Sequence, residues 1–428
     1  MNARVSAVSP PAATTAGKVS AFTFPEVSSV AIGVILVHAI DAWVLQVEGQ
    51  TSLDRRGVFL AVVASAGTLY WFAAGRLSYR PHAIALLVSG LMAAVVVGPI
   101  LGSYISKQGL TGSRMSGVVA LLGALLLIVI GTTRLVMSAG TTWRKLLAIP
   151  IALVIAQFFL LPVGQAVLVT QAARPPLTTR TPSDLGFNYE DVSFRSVDGT
   201  LLAGWYVPST NGAAVLLRHG SGSTRVNTLD HAAFLAEAGY GVLLVDARGH
   251  GDSEGRINEL GWHGPQDISA SIDHLAGRAD VTGDIGILGL SMGGEEAINA
   301  AAQDERIEAV VAEGAGVGNY SDSVATGAHA IERIVNWTQF ATTELLSDAP
   351  QPEGIVSSLR EISPRRVLLI TGDEPVEKTM GPVYEGAGES TTLWTLPDTP
   401  HTDGLDVHPA AYTERVLTLF SNALLGKT

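Results

Sequence analysis

The chain has 428 residues, of which 47% are hydrophobic and only 15% are charged. That length leaves room for roughly two or three domains, and so low a charge content is unusual for a wholly soluble protein. Up to Arg180, 13 Lys and Arg stand against 4 Asp and Glu, a net charge of +9; the rest carries 14 against 35, a net charge of −21. An acidic C-terminal part without a basic stripe argues against nucleic acid as a partner.

Hydrophobic runs dominate the first part of the chain. Each is long enough to cross the hydrocarbon core of a bilayer as a helix, which takes about twenty residues. The runs are Val27–Val47, Gly57–Ala74, Ala83–Ile105, Val118–Met137 and Leu146–Thr170. We predict a disordered N-terminus over 1–25 and a membrane domain of about five transmembrane helices over 26–171, with the lipid bilayer as its partner.

Loop charges and composition indicate how the membrane part connects to the rest. The Lys and Arg residues of the loops are nearly balanced across the membrane, and Arg134 tips the count toward a cytoplasmic N-terminus. Five crossings would then leave the C-terminal domain extracytoplasmic. The segment 172–183 is rich in Pro and Thr and is predicted to be a linker. The absence of cysteine fits either compartment.

Strand and helix signals alternate from Ala213 onward, which predicts a mainly parallel sheet with helices on both faces. The apolar strand Ala213–Leu217 leads into the loop Arg218–Ser223, which contains a His-Gly pair. The next strand leads into an Asp-x-Arg-Gly-His-Gly turn that begins at Asp246. The run Ile285–Gly294 is an apolar strand that enters Gly-Leu-Ser-Met-Gly and leaves as a helix, the strand-turn-helix context of a nucleophile elbow. Ser291 is therefore the candidate nucleophile.

These ordered motifs resemble the α/β-hydrolase superfamily, especially its serine esterase and serine aminopeptidase-like branches. The resemblance covers the domain that we predict over 184–428. It implies an α/β-hydrolase sheet preceded by an all-α transmembrane bundle. It also implies an oxyanion hole made by the backbone N–H groups of Met292 and Ser221. An insertion at about 315–360, with a helical stretch around Ala328–Leu346, is predicted to form a small cap.

In this superfamily the chain order of the triad is serine, acid, histidine, and His401 in the loop after the strand Thr391–Leu396 fits that order. The downstream rival is His408. Pro375 occupies the position at which the family usually has its aspartate, so we predict that a shortened turn brings in Asp373 as the acid. Glu377, Glu374 and Glu313 remain alternatives. Arg218 either steers an anionic substrate group or forms a salt bridge.

The sequence thus predicts a membrane-anchored serine hydrolase that cleaves an ester or amide through an acyl-enzyme. No metal or organic cofactor is implied, and the expected substrate is a small-molecule ester, a lipid or a peptide. One alternative is a membrane receptor or scaffold with a catalytically silent hydrolase-like domain. It is favoured by the lack of a carboxylate at the family's usual position of the acid. Another is a transport path formed by the helices, with the hydrolase as its accessory.

Overall fold

In a computed structural model of the chain, the described residues are 161–426 without 173, 326 and 348, together with 83–84, 86–91, 127–128, 130–132 and 134. The predicted disordered N-terminus and the first two predicted spans lie wholly outside them. Short pieces of the third and fourth spans and the last ten residues of the fifth are described. No helix within this described part is both long and apolar enough to span a bilayer.

Eight strands form one sheet in the order β1-β2-β4-β3-β5-β6-β7-β8. The strands are β1 Glu190–Arg195, β2 Leu201–Val207, β3 Ala214–Arg218, β4 Gly241–Val245, β5 Ile285–Leu290, β6 Ile307–Glu313, β7 Arg366–Thr371 and β8 Thr391–Thr395. The first two strands are antiparallel to their neighbours, and all pairs from β4 to β8 are parallel. The predicted mainly parallel sheet is confirmed, and it is the sheet of an α/β-hydrolase fold.

Ten α-helices are described from residue 161 onward. They are α1 Leu161–Gln171, α2 Leu229–Glu237, α3 Gly264–Ala276, α4 Met292–Gln303, α5 Tyr320–Ala325, α6 Ala330–Leu346, α7 Ile355–Ile362, α8 Pro375–Glu385, α9 Gly404–Val407 and α10 Pro409–Leu424. Helix α6 lies within the predicted cap and packs against α1. The end of the fifth predicted span therefore lies on the cap.

Apolar side chains on the two faces of the sheet form two separate cores. On one face, residues such as Leu216 and Ile287 pack with α3, α4, α7 and α8. On the other face, their neighbours Leu217 and Leu288 pack with α2 and α10. Successive side chains of a strand point to opposite faces, so an apolar run buries both. This double coverage explains why the central strands are almost continuously hydrophobic.

The carboxyl ends of β3, β5, β6 and β7 meet at one edge of the sheet. In open α/β sheets, ligands bind in the crevice outside these ends. Ser291 follows β5 directly, the loop that begins at His219 follows β3, and the loop before α8 follows β7. The motifs recognised in the sequence therefore converge on one place.

Candidate active site

Ser291 occupies a sharp turn between β5 and α4. Its backbone has φ 52° and ψ −120°, a left-handed conformation that is rare for a residue with a side chain. A Cβ atom on Gly289 would overlap the carbonyl oxygen of Gly293, and one on Gly293 would collide with the carbonyl oxygen of Arg218. Only glycine fits at these two positions. The local sequence thus forces the strained turn that exposes the Ser291 hydroxyl above the sheet.

A chain of hydrogen bonds links Ser291, His401 and Glu377. The Ser291 Oγ and His401 Nε2 atoms are 2.8 Å apart. On the other side of the ring, His401 Nδ1 is 2.5 Å from Glu377 Oε1. The carboxylate is buried and the imidazole is part-exposed. The Glu377 hydrogen bond raises the pKa of His401 and outweighs the opposing effect of burial. A serine hydroxyl, an imidazole and a buried carboxylate are therefore connected in one hydrogen-bonded chain, the arrangement that an activated serine needs.

Asp373 does not contact His401, so the predicted position of the acid is corrected. Its carboxylate is exposed and pairs with Lys378 Nζ at 2.7 Å. This hydrogen bond to Lys378 lowers the pKa of Asp373. The backbone N–H of Asp373 donates to the Thr399 carbonyl at 2.8 Å, which ties the main chain to the histidine loop. The turn is in the predicted place, but another side chain of the same segment reaches His401.

The start of α8 explains why the Glu377 carboxylate reaches His401. Pro375 is the first residue of the helix, where a missing N–H costs nothing, and Glu377 is the third. Its Oε2 atom accepts the Gly372 N–H at 2.6 Å, while Oε1 faces His401. The longer glutamate side chain thus reaches from the first turn of the helix back to the end of β7. An acidic residue two positions after a helix-starting proline was the available sequence signal.

The loop after β3 and the start of α4 both lie against Ser291. A Cβ atom built on Gly220 would lie 3.1 Å from Ser291 Cβ, so the main chain of this loop borders the nucleophile. Met292 is the first residue of α4, and the N–H groups of the first turn of a helix have no intrahelical acceptor. Ser221 is exposed, and its hydroxyl donates to Glu259 Oε2 at 2.6 Å. Of the two predicted oxyanion residues, Met292 thus directly follows Ser291, and Ser221 directly follows the glycine that borders it.

The remaining acid and base candidates have other partners. Glu313 accepts the Gly404 N–H at 2.8 Å and the Tyr412 hydroxyl at 2.7 Å, which holds the start of α9 against α10. Glu374 is the exposed N-cap residue of α8. His408 Nε2 lies 3.1 Å from the Thr399 hydroxyl. These contacts are structural, and none of them involves Ser291.

Arg218 is buried and forms an ion pair with Glu296, so the salt-bridge interpretation is correct and the steering interpretation is wrong. Its Nε and Nη2 atoms lie 2.8 Å and 2.6 Å from the same carboxylate oxygen. Burial is the main cause that raises the pKa of Glu296, and the Arg218 charge opposes it. The pair joins the end of β3 to α4, the two elements that border the nucleophile.

A cavity of about 690 Å³ lies between α6 and the start of α8. Apolar walls come from Val317, Phe340, Val376 and Met380, and polar groups come chiefly from the side of α6 that includes His329 and Gln339. Val376, which directly precedes Glu377 in the chain, is on the wall of the cavity, but Ser291, His401 and Glu377 are not among the described residues that line it. The volume lies within the range of about 300–1,000 Å³ that is usual for small-molecule sites. Among the described residues, no cluster of three or more His, Asp or Glu is arranged to hold a metal ion.

The sequence matches known proteins over the same region. A family model for X-Pro dipeptidyl-peptidases (S15 family) matches residues 170–379. YfhR of Escherichia coli O157:H7 is 28% identical over 248 residues, 55% of this chain and 81% of that protein. The alpha/beta hydrolase domain-containing protein WAV2 of Arabidopsis thaliana is 31% identical over 150 residues, 33% of this chain and 48% of that protein.

Solved structures are similar as well. The esterase Pf2001 of Pyrococcus furiosus has 24% sequence identity and a TM-score of 0.48, covering 59% of this chain and 99% of that chain. The sequence similarities, together with the sheet order described above, support the α/β-hydrolase superfamily and a hydrolase in general.

Proposed function

We propose that the protein is a membrane-anchored serine hydrolase that cleaves an ester or amide bond through an acyl-enzyme intermediate. Ser291 is the nucleophile, His401 the general base and acid, and Glu377 the carboxylate that orients His401. The single observation that carries the proposal is the continuous hydrogen-bonded chain from Ser291 Oγ through the imidazole to Glu377. Serine needs such a base because its hydroxyl is a weak nucleophile on its own.

In the proposed mechanism, His401 Nε2 removes the Ser291 proton as Oγ attacks the scissile carbonyl carbon. The imidazolium that forms is stabilised by Glu377, which also fixes the tautomer with the proton on Nδ1. The negative charge moves to the carbonyl oxygen, where the N–H groups of Met292 and Ser221 stabilise it. The carbonyl then re-forms, the bond from its carbon to the leaving group breaks, and His401 gives its proton to the departing oxygen or nitrogen. Water repeats the sequence on the acyl-enzyme and frees Ser291.

The cavity between α6 and the start of α8 supports a substrate of modest size, because it opens on the same helix end that carries Glu377. Its apolar walls fit an acyl or aromatic group, and the amides and imidazole along α6 provide partners for a few polar atoms. A small ester is our first candidate substrate. The matched model is named for dipeptidyl-peptidases, so a short peptide with a penultimate proline is the second. The alternative of a catalytically silent domain was favoured by the lack of a carboxylate at the usual position of the acid, and the contact between Glu377 and His401 supports the catalytic alternative instead.

The acyl-enzyme predicts burst kinetics with p-nitrophenyl butyrate. In stopped-flow mixing, the first turnover should release about one p-nitrophenol per active site before a slower steady state, because acylation by an activated ester precedes slower deacylation. Glycyl-prolyl-p-nitroanilide, assayed in parallel, tests the peptidase alternative. Turnover of the anilide faster than that of the ester would reverse the order of candidates. The absence of turnover of either substrate by folded protein would contradict the proposed activity.

We further propose that the apolar runs before residue 161 anchor the chain in a membrane and leave the catalytic domain outside the cytoplasm. The chain has no cysteine, so single-cysteine variants report topology directly. Val197, 83% exposed in the turn between β1 and β2, is a suitable site in the catalytic domain. In intact cells, a membrane-impermeant maleimide should label Val197→Cys, whereas Ser6→Cys near the N-terminus should react only after permeabilisation. The reverse pattern would place the domain in the cytoplasm, and recovery in the soluble fraction would contradict anchoring.

A further inference from the structure

We propose that Glu259 is a positioning residue for the oxyanion turn, which we define as residues 220–222. The proposal rests on the proposed serine hydrolase function and adds a residue to it. Glu259 lies 30 residues before the nucleophile elbow begins at Gly289 and belongs to none of the motifs recognised in the sequence. Its carboxylate does not contact Ser291 or His401 in the described hydrogen bonds; it acts on the turn.

One carboxylate oxygen of Glu259 accepts two hydrogen bonds from the turn, and a ring nitrogen of a neighbouring histidine lies beside it. The Ser221 hydroxyl lies 2.6 Å from Oε2, and the Gly222 N–H lies 2.5 Å from the same atom. His250 Nε2 approaches it at 3.2 Å. The Glu259 side chain is 8% exposed, so the carboxylate is shielded from water. A buried carboxylate with charge-assisted hydrogen bonds holds its donors more strongly than neutral groups do.

The other end of the turn is fixed by His219. Its Nε2 accepts the Ala247 N–H at 2.8 Å, so the ring proton is on Nδ1 and is donated to the Gly220 carbonyl at 2.8 Å. Burial lowers the pKa of His219 well below its ordinary value, which keeps the ring neutral, as this arrangement requires. The turn is thus held by His219 before it and by Glu259 after it. Between the two, Gly220 lies against Ser291.

The main chain of Glu259 is fixed too. Its backbone N–H donates to the Val169 carbonyl in α1 at 2.8 Å. On one side Asn258 donates from its side chain to the Ser347 hydroxyl at the end of α6, at 2.9 Å. The carboxylate is therefore presented to the turn from a segment that is itself fastened to two helices. Such support matters because a catalytic group that moves by about 1 Å loses on the order of a hundredfold in rate.

Loss of the Glu259 carboxylate should weaken the stabilisation of the transition state more than the binding of the substrate. The Ser221 N–H must meet the developing oxyanion, and the loss of one such donor costs about 10²–10³-fold in turnover. We expect Glu259→Ala to lower kcat by about 10–100-fold, because the turn loosens without losing its N–H groups. KM should change by less than about threefold, since the donors act on the tetrahedral state rather than on the bound ester. Glu259→Gln, which keeps an oxygen acceptor, should recover most of the activity.

A transition-state analogue separates positioning from mere folding. A trifluoromethyl ketone forms a tetrahedral oxyanion on the serine, so its Ki should rise in Glu259→Ala by the same factor by which kcat/KM falls. Glu259→Asp keeps the buried charge but shortens the reach, and its Ki should lie between those of wild type and Glu259→Ala. If Glu259→Ala does not fold, Glu259→Asp carries the same test.

Asp280→Ala is the matched control. Asp280 accepts the Tyr206 hydroxyl and the Ser209 N–H at 2.7 and 2.8 Å, beyond the opposite ends of the strands from Ser291. Its loss should lower Tm and leave the Ki of the ketone unchanged. Equal Ki values in wild type, Glu259→Ala and Glu259→Asp would overturn the proposal, while turnover by wild type still upheld the proposed function. A folded wild-type protein that turns over neither the ester nor the anilide would instead refute the proposed function.

Discussion

Replacement of Ser291 by alanine should lower kcat/KM for p-nitrophenyl butyrate by about 10⁶-fold, because residues of a triad act as a unit and the nucleophile is their reacting atom. Binding should persist, since the cavity beside α8 is unchanged, and a weak rate above that in water should remain from the Met292 and Ser221 N–H groups. The measurement is steady-state turnover with limited substrate, on protein whose Tm confirms that it is folded.

Ser421→Ala is the matched control for this experiment. Ser421 lies on α10 and donates to the Thr418 carbonyl at 3.2 Å, away from the elbow. Its loss should leave turnover within about twofold, as surface substitutions usually have small effects. If Ser291→Ala retained more than about a tenth of wild-type turnover, another group would be performing the chemistry and the proposed mechanism would be wrong.

Replacement of Glu377 by glutamine should lower kcat by about 10³–10⁴-fold, as the loss of the orienting carboxylate does in serine triads. The amide fills nearly the same space but does not stabilise the imidazolium and allows the wrong tautomer of His401. Asp373→Asn is the matched control, because Asp373 belongs to the same segment and pairs with Lys378 at the surface. It should leave turnover within about twofold, since exposed ion pairs contribute little.

Glu377→Gln and Asp373→Asn should also differ in the pH dependence of kcat/KM. His401 must be neutral to accept the Ser291 proton, so kcat/KM falls as pH drops through the pKa of His401. Glu377 raises that pKa above its ordinary value of 6.5, and its replacement by a neutral amide should move the acidic limb to lower pH. Asp373→Asn should leave the limb where it is in wild type. A crippled Asp373→Asn enzyme beside a normal Glu377→Gln enzyme would return the acid to Asp373.

Most of the fold and half of the site were accessible from the sequence because they depend on local rules. Apolar runs with glycine-rich turns mark strands of a doubly covered sheet, and the elbow is defined by steric limits at Gly289 and Gly293 that the pentapeptide itself reveals. His401 followed from chain order. The structure brings its ring to 2.8 Å from Ser291 Oγ.

The identity of the acid and the support of the oxyanion turn depend on contacts between distant parts of the chain. Such contacts are not visible in any short stretch of the sequence. The main chain of Asp373 is bound to the Thr399 carbonyl and its carboxylate pairs with Lys378, while Glu377 in the helical turn that follows faces His401. The role of Arg218 was left open in the sequence analysis for a similar reason, because its partner Glu296 is 78 residues away. Glu259 belongs to no motif that the sequence analysis recognised. Its role emerges only once the loop after β3 is folded against it.

Mass spectrometry of the full-length protein after reaction with a fluorophosphonate shows directly whether Ser291 is an activated nucleophile. The reagent phosphonylates only a serine activated by a neighbouring base, in a reaction that passes through the same charged transition state as acylation. We expect one adduct per chain, on the peptide that contains Ser291, with loss of the adduct in Ser291→Ala. A folded protein that takes up no reagent, or one that is labelled at a different serine, would contradict Ser291 as the nucleophile.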